Sequence, residues 1–495
     1  MKKLKLKIYL LLACLMVSAA CTDNFEEKNT SPNYPNAAQA STLLTTTIER
    51  AADRIWGSNI RYERLNIDGP MCWMGYLGRN IYSNEGDDYT IQPSMYNNNW
   101  KALYNDALLN AQRMVELSAP GGKTPHSNYE GIGLVLRSLV FSVLTDLYGP
   151  IPYSQALKGT AQEPIYTPSY DTQEAVYAGL LADLKTANEK LQVVASGGAP
   201  IVAGADILYG GDILKWKKFA NSLRLRLANR QAAKKPAESR QIINEILNDP
   251  ATYPVFTSNA DNARVVHTAN RPSNNEWHET MVQGGRTDWN VGKTLIDKLN
   301  ALSDTRVAVF AQPLSSGAYV GIPNGLPDAV ATTYLNSTSK IGTAFLAASA
   351  PSVIMTYSEL QFILAEAVLD GDAATGSAQT FFQNGITASF AQHGATLPAS
   401  YITNLGPVTR ALVFDQKYIA LYGQGIEAWT EYRRTGLPVL PAKDTRAVFV
   451  NNAVLPTRLP YPTSEQSLNA TEYAKGVELI GGTNNAQAKL WWVEN

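Results

Sequence analysis

The residues R-S-L-V-F-S-V-L-T-D-L-Y-G-P-I-P-Y-S-Q-A at positions 137–156 carry the strongest local fold signal in the chain. Apolar residues recur here at three- and four-residue spacing, as one face of an α-helix requires. The apolar set is Leu136, Leu139, Val140, Val143, Leu144 and Leu147. The first half of the stretch therefore predicts a buried helix.

The second half of the same stretch predicts an abrupt end to that helix. Gly149 can adopt the left-handed conformation that ends many helices, and Pro150 and Pro152 cannot continue the ladder of backbone hydrogen bonds. Asp146 lies one turn before the bend. Its carboxylate is expected to bind either the free backbone groups of the bend or Arg137, as a buried partner rather than a catalytic group.

Similar apolar spacing recurs along the chain in pairs of segments. The paired ranges are 41–56 with 100–117, 129–148 with 172–191, 213–229 with 237–247, and 353–369 with 377–391. Further helices are predicted at 291–302 and 411–432. Stacked helix pairs are typical of tetratricopeptide-type repeats, although the spacing here is irregular. We predict a mainly α fold, a tetratricopeptide-like helix-pair scaffold with long irregular loop insertions that carry binding.

Composition excludes several classes of protein. The chain has 495 residues, 45% of them hydrophobic, and a formal net charge of −1, which gives no field to attract nucleic acid. Its cysteines are Cys14, Cys21 and Cys72. If the first two belong to a leader and a lipid anchor, Cys72 has no partner for an intramolecular disulfide. The fold must then depend on its apolar core.

The N-terminus has the features of a bacterial lipoprotein signal. Cys21 is preceded by lysines, then by an apolar run too short to span a bilayer, and then by the small residues Ser18, Ala19 and Ala20. We predict a signal peptide at 1–20, lipidation of Cys21, a flexible Asn/Pro-rich tether at 21–40, and a single domain at 41–495. Ordinary secretion is the alternative.

Separated motifs in a fixed order carry a family resemblance. They are Cys21 with the acidic residues after it, D-L-Y-G-P-I-P-Y at 146–153, M-T-Y-S-E-L-Q-F-I-L-A-E-A at 355–367, A-L-Y-G-Q-G-I-E-A-W-T-E-Y-R-R-T-G at 420–436 and R-L-P-Y-P-T-S-E at 458–465. Together they cover nearly all of the predicted mature chain. The chain resembles the SusD/RagB outer-membrane lipoproteins, the substrate-binding subunits of nutrient importers.

The resemblance implies a function, a location and a partner. A SusD-like protein is expected to be lipid-anchored in the outer membrane, to face the cell surface, and to pass its ligand to a TonB-dependent SusC-like barrel. An oligosaccharide is the expected ligand. A peptide, as in RagB-like members, is the alternative.

Two loops rich in aromatic and polar residues supply the candidate ligand-binding residues. Sugars need flat rings for their C–H faces and planar polar groups for their hydroxyls. The candidates are Trp73, Tyr76, Tyr82, Tyr96 and Asn98 in the first loop and Arg271, Asn275, Trp277 and His278 in the second. Replacing Trp73 or Trp277 by alanine is expected to weaken glycan binding and to change the melting temperature little.

Two sets of carboxylates raise the question of catalysis or metal binding. Glu359 and Glu366 share one face of an apolar helix and have the residue type of acid–base pairs. A buried carboxylate needs a partner, so we expect each to bind Arg137, Arg433 or Arg434, or to cap a bend. At 85–88, E-G-D-D offers hard oxygen ligands without an EF-hand pattern, which favours solvated loop charge over structural calcium. We therefore predict a binding protein without enzymatic activity or cofactor.

Overall fold

The computed structural model describes residues 39–56, 64–159 and 163–494. From Ala40 onward these residues belong to one compact unit, Ala40–Asn495. The predicted signal peptide, the lipidation of Cys21 and nearly all of the predicted tether lie outside the described residues.

Helices make up most of the regular structure. The longer ones are α1 (Ala40–Trp56), α2 (Pro93–Ala102), α3 (Leu109–Ser118), α4 (Ser127–Tyr148), α5 (Gln173–Lys190), α6 (Ile213–Arg230), α7 (Pro236–Asn248), α8 (Lys293–Ala301), α9 (Tyr357–Leu369), α10 (Ala378–Gln392), α11 (Arg410–Ala420), α12 (Gly425–Thr435) and α13 (Ala470–Glu478). Shorter helices span Leu65–Asp68, Pro70–Trp73, Val307–Phe310, Asp328–Ala331, Tyr401–Leu405 and Thr463–Leu468.

The helices pack in the predicted pairs: α1 with α3, α4 with α5, α6 with α7, and α9 with α10. Glycines allow close approach between α3 and α4, which belong to neighbouring pairs, and within the pair of α9 and α10. A Cβ at Gly133 of α4 would lie 2.7 Å from the side chain of Val115 on α3. A Cβ at Gly385 of α10 would lie 2.8 Å from the ring of Phe362 on α9. The prediction of a mainly helical, tetratricopeptide-like scaffold is confirmed.

Side-chain caps fix where several of these helices begin. Thr172, Asp212 and Thr356 accept a hydrogen bond from the backbone N–H three residues later, at the starts of α5, α6 and α9. In the part of the chain that the structure describes, α4 is the one helix long and apolar enough to cross a membrane. Most of its residues are buried inside the unit, as in the core helix of a globular domain.

Three predicted helices differ from the structure at an end or are interrupted. The range 353–369 begins as a strand, Ser352–Met355, and α9 starts only after the cap at Thr356. The range 411–432 is broken between α11 and α12, where Gly423 has a φ of +93°. The range 100–117 begins inside α2, which starts earlier at Pro93, and is interrupted by a π-helical segment, Leu103–Leu108.

The strands are short and form antiparallel pairs between insertions. They are β1 (Leu77–Arg79), β2 (Ile151–Pro152), β3 (Tyr170–Asp171), β4 (Ala263–Val265), β5 (Trp289–Val291) and β6 (Ser352–Met355). β1 pairs with β5, β2 with β3, and β4 with β6. These strand pairs connect loops by backbone hydrogen bonds, whereas the apolar core lies among the helices.

The carboxylate of Asp146 lies at the centre of a buried ionic network. It accepts hydrogen bonds from Arg230 Nη1 at 2.6 Å, the Tyr177 hydroxyl at 2.6 Å and Trp492 Nε1 at 2.9 Å. Arg137 instead pairs with Asp183 at 2.8 Å. The expected Arg137–Asp146 pair is therefore wrong. Positions nine apart on a helix are about half a turn out of phase, so the two side chains leave α4 on opposite sides.

The two glutamates of α9 are structural, as predicted, and each is held by an arginine. Both carboxylate oxygens of Glu359 accept from Arg226, at 2.7 and 2.6 Å. Those of Glu366 accept from Arg434, at 2.8 and 2.9 Å. Arg434 was among the expected partners, whereas Arg226 on α6 was not.

Candidate functional site

Three insertions between the scaffold helices meet at one place. The first insertion is residues 74–92, the second is 302–352 and the third is 436–469. The backbone N–H of Val448 donates to the carbonyl of Gly325 at 2.8 Å, and that of Val450 donates to the carbonyl of Asp88 at 3.0 Å. Asn324 Nδ2 donates to Asp87 Oδ1 at 2.5 Å. Segments far apart in sequence are thus bound into a single surface.

A cavity of about 340 Å³ opens where these insertions meet the first turn of α8, and we call it the ring-lined cavity. Its aromatic walls are Trp73, Tyr89, Tyr432 and Phe449. Its polar groups include Lys293, Asp297, Asn324, Lys443 and Asp444. Small-molecule sites are typically concave and apolar, with a few polar groups that fix orientation. Rings beside amide, ammonium and carboxylate groups suit a ligand with both C–H faces and hydroxyls.

The third insertion contributes an ammonium group held over two rings. Lys443 Nζ lies 4.4 Å from the ring centre of Tyr89 and 4.3 Å from that of Phe449. The two rings contact each other with centres 4.5 Å apart. Loss of solvent lowers the pKa of Lys443 from its usual value. The cation–π contacts hold Lys443 at the cavity wall as a hydrogen-bond donor.

Asn324 is positioned at the cavity by its amide nitrogen. Its Nδ2 donates to the carbonyls of Cys72 and Leu77 and to the carboxylate of Asp87. Asp87 also accepts from the backbone N–H of Gly325 at 2.9 Å. Because the protein itself uses the donors of this amide, its oxygen is the atom that Asn324 can offer a ligand.

The acidic cluster at 85–88 differs from the predicted solvated charges. Asp87 is fully buried, and Glu85 pairs with Arg64 at 2.9 Å and with Arg79 at 2.8 Å. Desolvation raises the pKa of Asp87 to about 7, and the hydrogen bonds from Asn324 and Gly325 oppose that rise. The cluster therefore joins the first insertion to the second and to Arg64.

The raised pKa of Asp87 predicts a pH-dependent stability. The folded protein holds this proton up to about pH 7, whereas the unfolded chain releases it near its ordinary pKa of 3.8. The contribution of Asp87 is therefore fully present below about pH 4 and is lost as pH rises toward 7, by about 1.4 kcal/mol per pH unit. Urea unfolding at pH values from 4.5 to 7.5 should show that the free energy of unfolding of the wild type falls, relative to that of Asp87→Asn, as the pH rises. A constant difference between the two proteins would contradict the assignment.

Four of the residues predicted to contact ligand lie inside the core. Trp73 is 2% exposed, Asn275 is 1% exposed, and Tyr76 and Trp277 are fully buried. Tyr76 stacks on Tyr418 with ring centres 4.4 Å apart. The expectation that these rings present an open face to sugar is corrected, because their faces already pack against other rings. Trp73 nevertheless borders the ring-lined cavity.

The other predicted residues are more accessible. Tyr82 is 46% exposed, and Tyr96 and Asn98 lie on α2. Arg271 pairs with Glu279 at 2.8 Å, and His278 Nδ1 lies 2.8 Å from the carbonyl of Leu346. These five residues do not border the ring-lined cavity within the described ranges. Their role in ligand binding stays a prediction.

Most of the cavity wall, including Tyr89, Asn324, Lys443 and Phe449, was not predicted from the sequence. Tyr89 lies in the first aromatic-polar loop, and Asn324 lies in the glycine- and proline-rich segment Y-V-G-I-P-N-G-L at 319–326, so both carried a local signal. Lys443 and Phe449 lie in a tail without periodicity, and only the folded chain brings them to Tyr89.

Comparison with known proteins gives one family. A family model described as "Starch-binding associating with outer membrane", of the SusD-like type, matches residues 32–462. No curated protein matches the chain.

Solved structures include strong matches. One is a chitin-binding protein, 27% identical, with a TM-score of 0.80, over 92% of this chain and 100% of that one. A SusD homologue from Bacteroides uniformis is 24% identical, with a TM-score of 0.78, over 92% of this chain and 99% of that one. A chitin-binding SusD homologue from Flavobacterium johnsoniae is 24% identical, with a TM-score of 0.78, over 91% and 99%.

Proposed function

The chain belongs to the SusD-like family, and from that premise we propose that it is a lipid-anchored, surface-facing receptor that binds an oligosaccharide in the ring-lined cavity. The observation that carries the proposal is the meeting of three insertions around one concave site with aromatic walls and converging polar groups. The description of the family and the chitin-binding relative at 27% identity support a glycan as the ligand.

The chemistry of the cavity supports the same ligand class. Tyr89 and Phe449 offer ring surface for the C–H face of a sugar. The Lys443 ammonium can donate to a hydroxyl, and the carboxylate of Asp297 can accept from one. Binding without chemical conversion is proposed, because the carboxylates of Glu359 and Glu366 are buried and engaged by Arg226 and Arg434.

The proposal extends to delivery and anchoring. Lipidation of Cys21 would hold the protein at the outer membrane, and the ligand would pass to a TonB-dependent SusC-like barrel. No cofactor is proposed. Two features of the sequence support these steps. The residues before Cys21 resemble a bacterial lipoprotein signal, and the Asn/Pro-rich residues after it precede the compact unit that begins at Ala40.

A binding screen tests the ligand class. Protein starting at Thr22 would be applied to a glycan array and to a pool of peptides at matched concentrations. The proposal expects saturable binding to a set of related oligosaccharides and no enrichment of peptides. Enrichment of peptides without glycan binding would contradict the proposal and support the RagB-like alternative. If a variant with a larger side chain filling the ring-lined cavity still bound the glycan as the wild type does, the placement of the site would be contradicted.

A further inference from the structure

The charges around the ring-lined cavity leave one ammonium group without a counter-charge. Among the described residues, the charged side chains that line it are Lys293, Asp297, Lys443 and Asp444. Lys293 pairs with Asp297 one turn later on α8. Asp444 accepts from Arg446, whose Nε and Nη2 lie at 2.8 and 2.7 Å. Within the same described part of the chain, Lys443 has no carboxylate partner.

The ammonium of Lys443 is nevertheless held in position. Besides its contacts with two rings, Nζ donates to the carbonyl of Ala453. That carbonyl belongs to a left-handed turn, in which Asn451, Asn452 and Ala453 have φ values of +53°, +54° and +62°. Alanine rarely adopts this conformation, and such strained turns persist where surrounding contacts hold them, commonly at ligand sites. The third insertion thus presents Lys443 as a fixed positive charge.

A fixed positive charge at a partly desolvated wall favours an anion. Loss of solvent lowers the pKa of Lys443, and no carboxylate in the described ranges lies close enough to raise it. A sugar hydroxyl can accept from the ammonium but does not compensate its charge, whereas a hydrogen bond to an anionic oxygen is stronger. Lysine is a compact point charge, so this argument applies equally to a carboxylate and to a sulfate ester.

We propose that the ring-lined cavity selects an acidic oligosaccharide, whose carboxylate or sulfate group pairs with the ammonium of Lys443 while its sugar rings contact the aromatic walls. The inference rests on the proposed function, since it assumes that a saccharide binds in this cavity. It adds the charge class of the ligand and names Lys443 as the residue that determines it. Chitin, which two of the solved relatives bind, carries no acidic group, so the expected preference differs from theirs.

A glycan array with acidic and neutral members tests the charge class on protein starting at Thr22. The acidic members are oligogalacturonides, hyaluronan oligosaccharides and sulfated galactans. The neutral members are malto-oligosaccharides, chito-oligosaccharides and methyl-esterified oligogalacturonides. The best acidic ligand is then compared by titration calorimetry with its own methyl ester or its desulfated form. We expect the neutral form to bind at least about tenfold more weakly. Comparison of the carboxylated with the sulfated members distinguishes the two anionic groups.

Variants of Lys443 test the assignment of this preference to one residue. Lys443→Gln keeps a hydrogen-bond donor and removes the charge. It should bind the acidic glycan about tenfold more weakly than the wild type and bind the neutral form with unchanged affinity. Lys443→Arg keeps the charge and should retain the preference. Lys123→Gln is the matched control, because it makes the same change in net charge at an exposed residue outside the cavity.

The other outcomes overturn the inference in distinguishable ways. Array binding confined to neutral glycans, or equal affinity of the wild type for an acidic glycan and its neutral form, refutes the charge class and leaves the proposed function standing. An equal loss of affinity for both forms in Lys443→Gln would show that Lys443 only supports the wall. The same selective loss in Lys123→Gln would assign the preference to net charge. If the array shows no glycan binding at all, the proposed function itself fails.

Discussion

Replacing Asp146 by alanine is expected to lower the free energy of unfolding by about 3–5 kcal/mol, because it removes one partner of a buried ion pair. The side chains of Arg230 and Asp146 are 2% and 4% exposed. The substitution leaves part of the Arg230 charge uncompensated and deprives the Tyr177 hydroxyl and Trp492 Nε1 of their acceptor. Arg230 also pairs with Glu427 and Glu431 on α12, so the loss reaches the contact between α4, α6 and α12.

Asp183→Ala is the matched control for this prediction. Asp183 is also a helical aspartate paired with an arginine, but its pair with Arg137 is partly solvated, with side chains 21% and 18% exposed. Losing this pair should lower the free energy of unfolding by no more than about 1 kcal/mol. Urea unfolding of both variants measures the difference. Equal losses would show that burial of the Asp146 network does not stabilise the fold. The fraction of Asp146→Ala that remains folded should bind glycan with unchanged affinity.

Replacing Trp73 by alanine is expected to lower the free energy of unfolding by about 3–5 kcal/mol. The indole is almost fully buried, packs edge-to-face on Trp429 with ring centres 4.8 Å apart, and donates from Nε1 to the carbonyl of Gly86 at 2.9 Å. Truncation leaves a large void and an unpaired carbonyl beside the first insertion. This expectation replaces the one drawn from the sequence, in which Trp73→Ala changed the melting temperature little.

Tyr82→Ala is the control for Trp73→Ala. Tyr82 belongs to the same aromatic-polar loop but is 46% exposed, so its truncation should change stability by no more than about 0.5 kcal/mol. Thermal and urea unfolding of the two variants should differ clearly. If Trp73→Ala unfolds at the same urea concentration as the wild type, the ring is a surface platform after all.

The sequence was sufficient for the scaffold because helix periodicity and caps are local. The apolar repeat before Gly149 predicts α4 and its end, whereas the start of α9 after the cap at Thr356 was predicted too early. The partner of Asp146 was not local. Arg230 lies on another helix, and no spacing within α4 relates it to Asp146.

The site was harder to predict because aromatic residues serve both core and surface. Trp73 and Trp277 lie in polar, glycine-containing stretches of sequence, yet both belong to short helical segments and both rings are buried. Composition cannot distinguish a ring that packs on Trp429 from one that faces solvent. The cavity wall depends on Phe449 reaching Tyr89 across most of the chain, and Gly325 leaves the space that this ring occupies.

Titration calorimetry of an oligosaccharide that the screen selects, into wild type, Phe449→Ala and Tyr166→Ala, tests whether the ring-lined cavity is the glycan site. Phe449 forms a wall of the ring-lined cavity, whereas Tyr166 is 78% exposed and lies outside it. Melting temperatures confirm that both variants are folded. We expect Phe449→Ala to weaken binding at least about tenfold, or about 1.4 kcal/mol, and Tyr166→Ala to bind as the wild type does. Folded Phe449→Ala with unchanged affinity would contradict the assignment of the cavity as the glycan site.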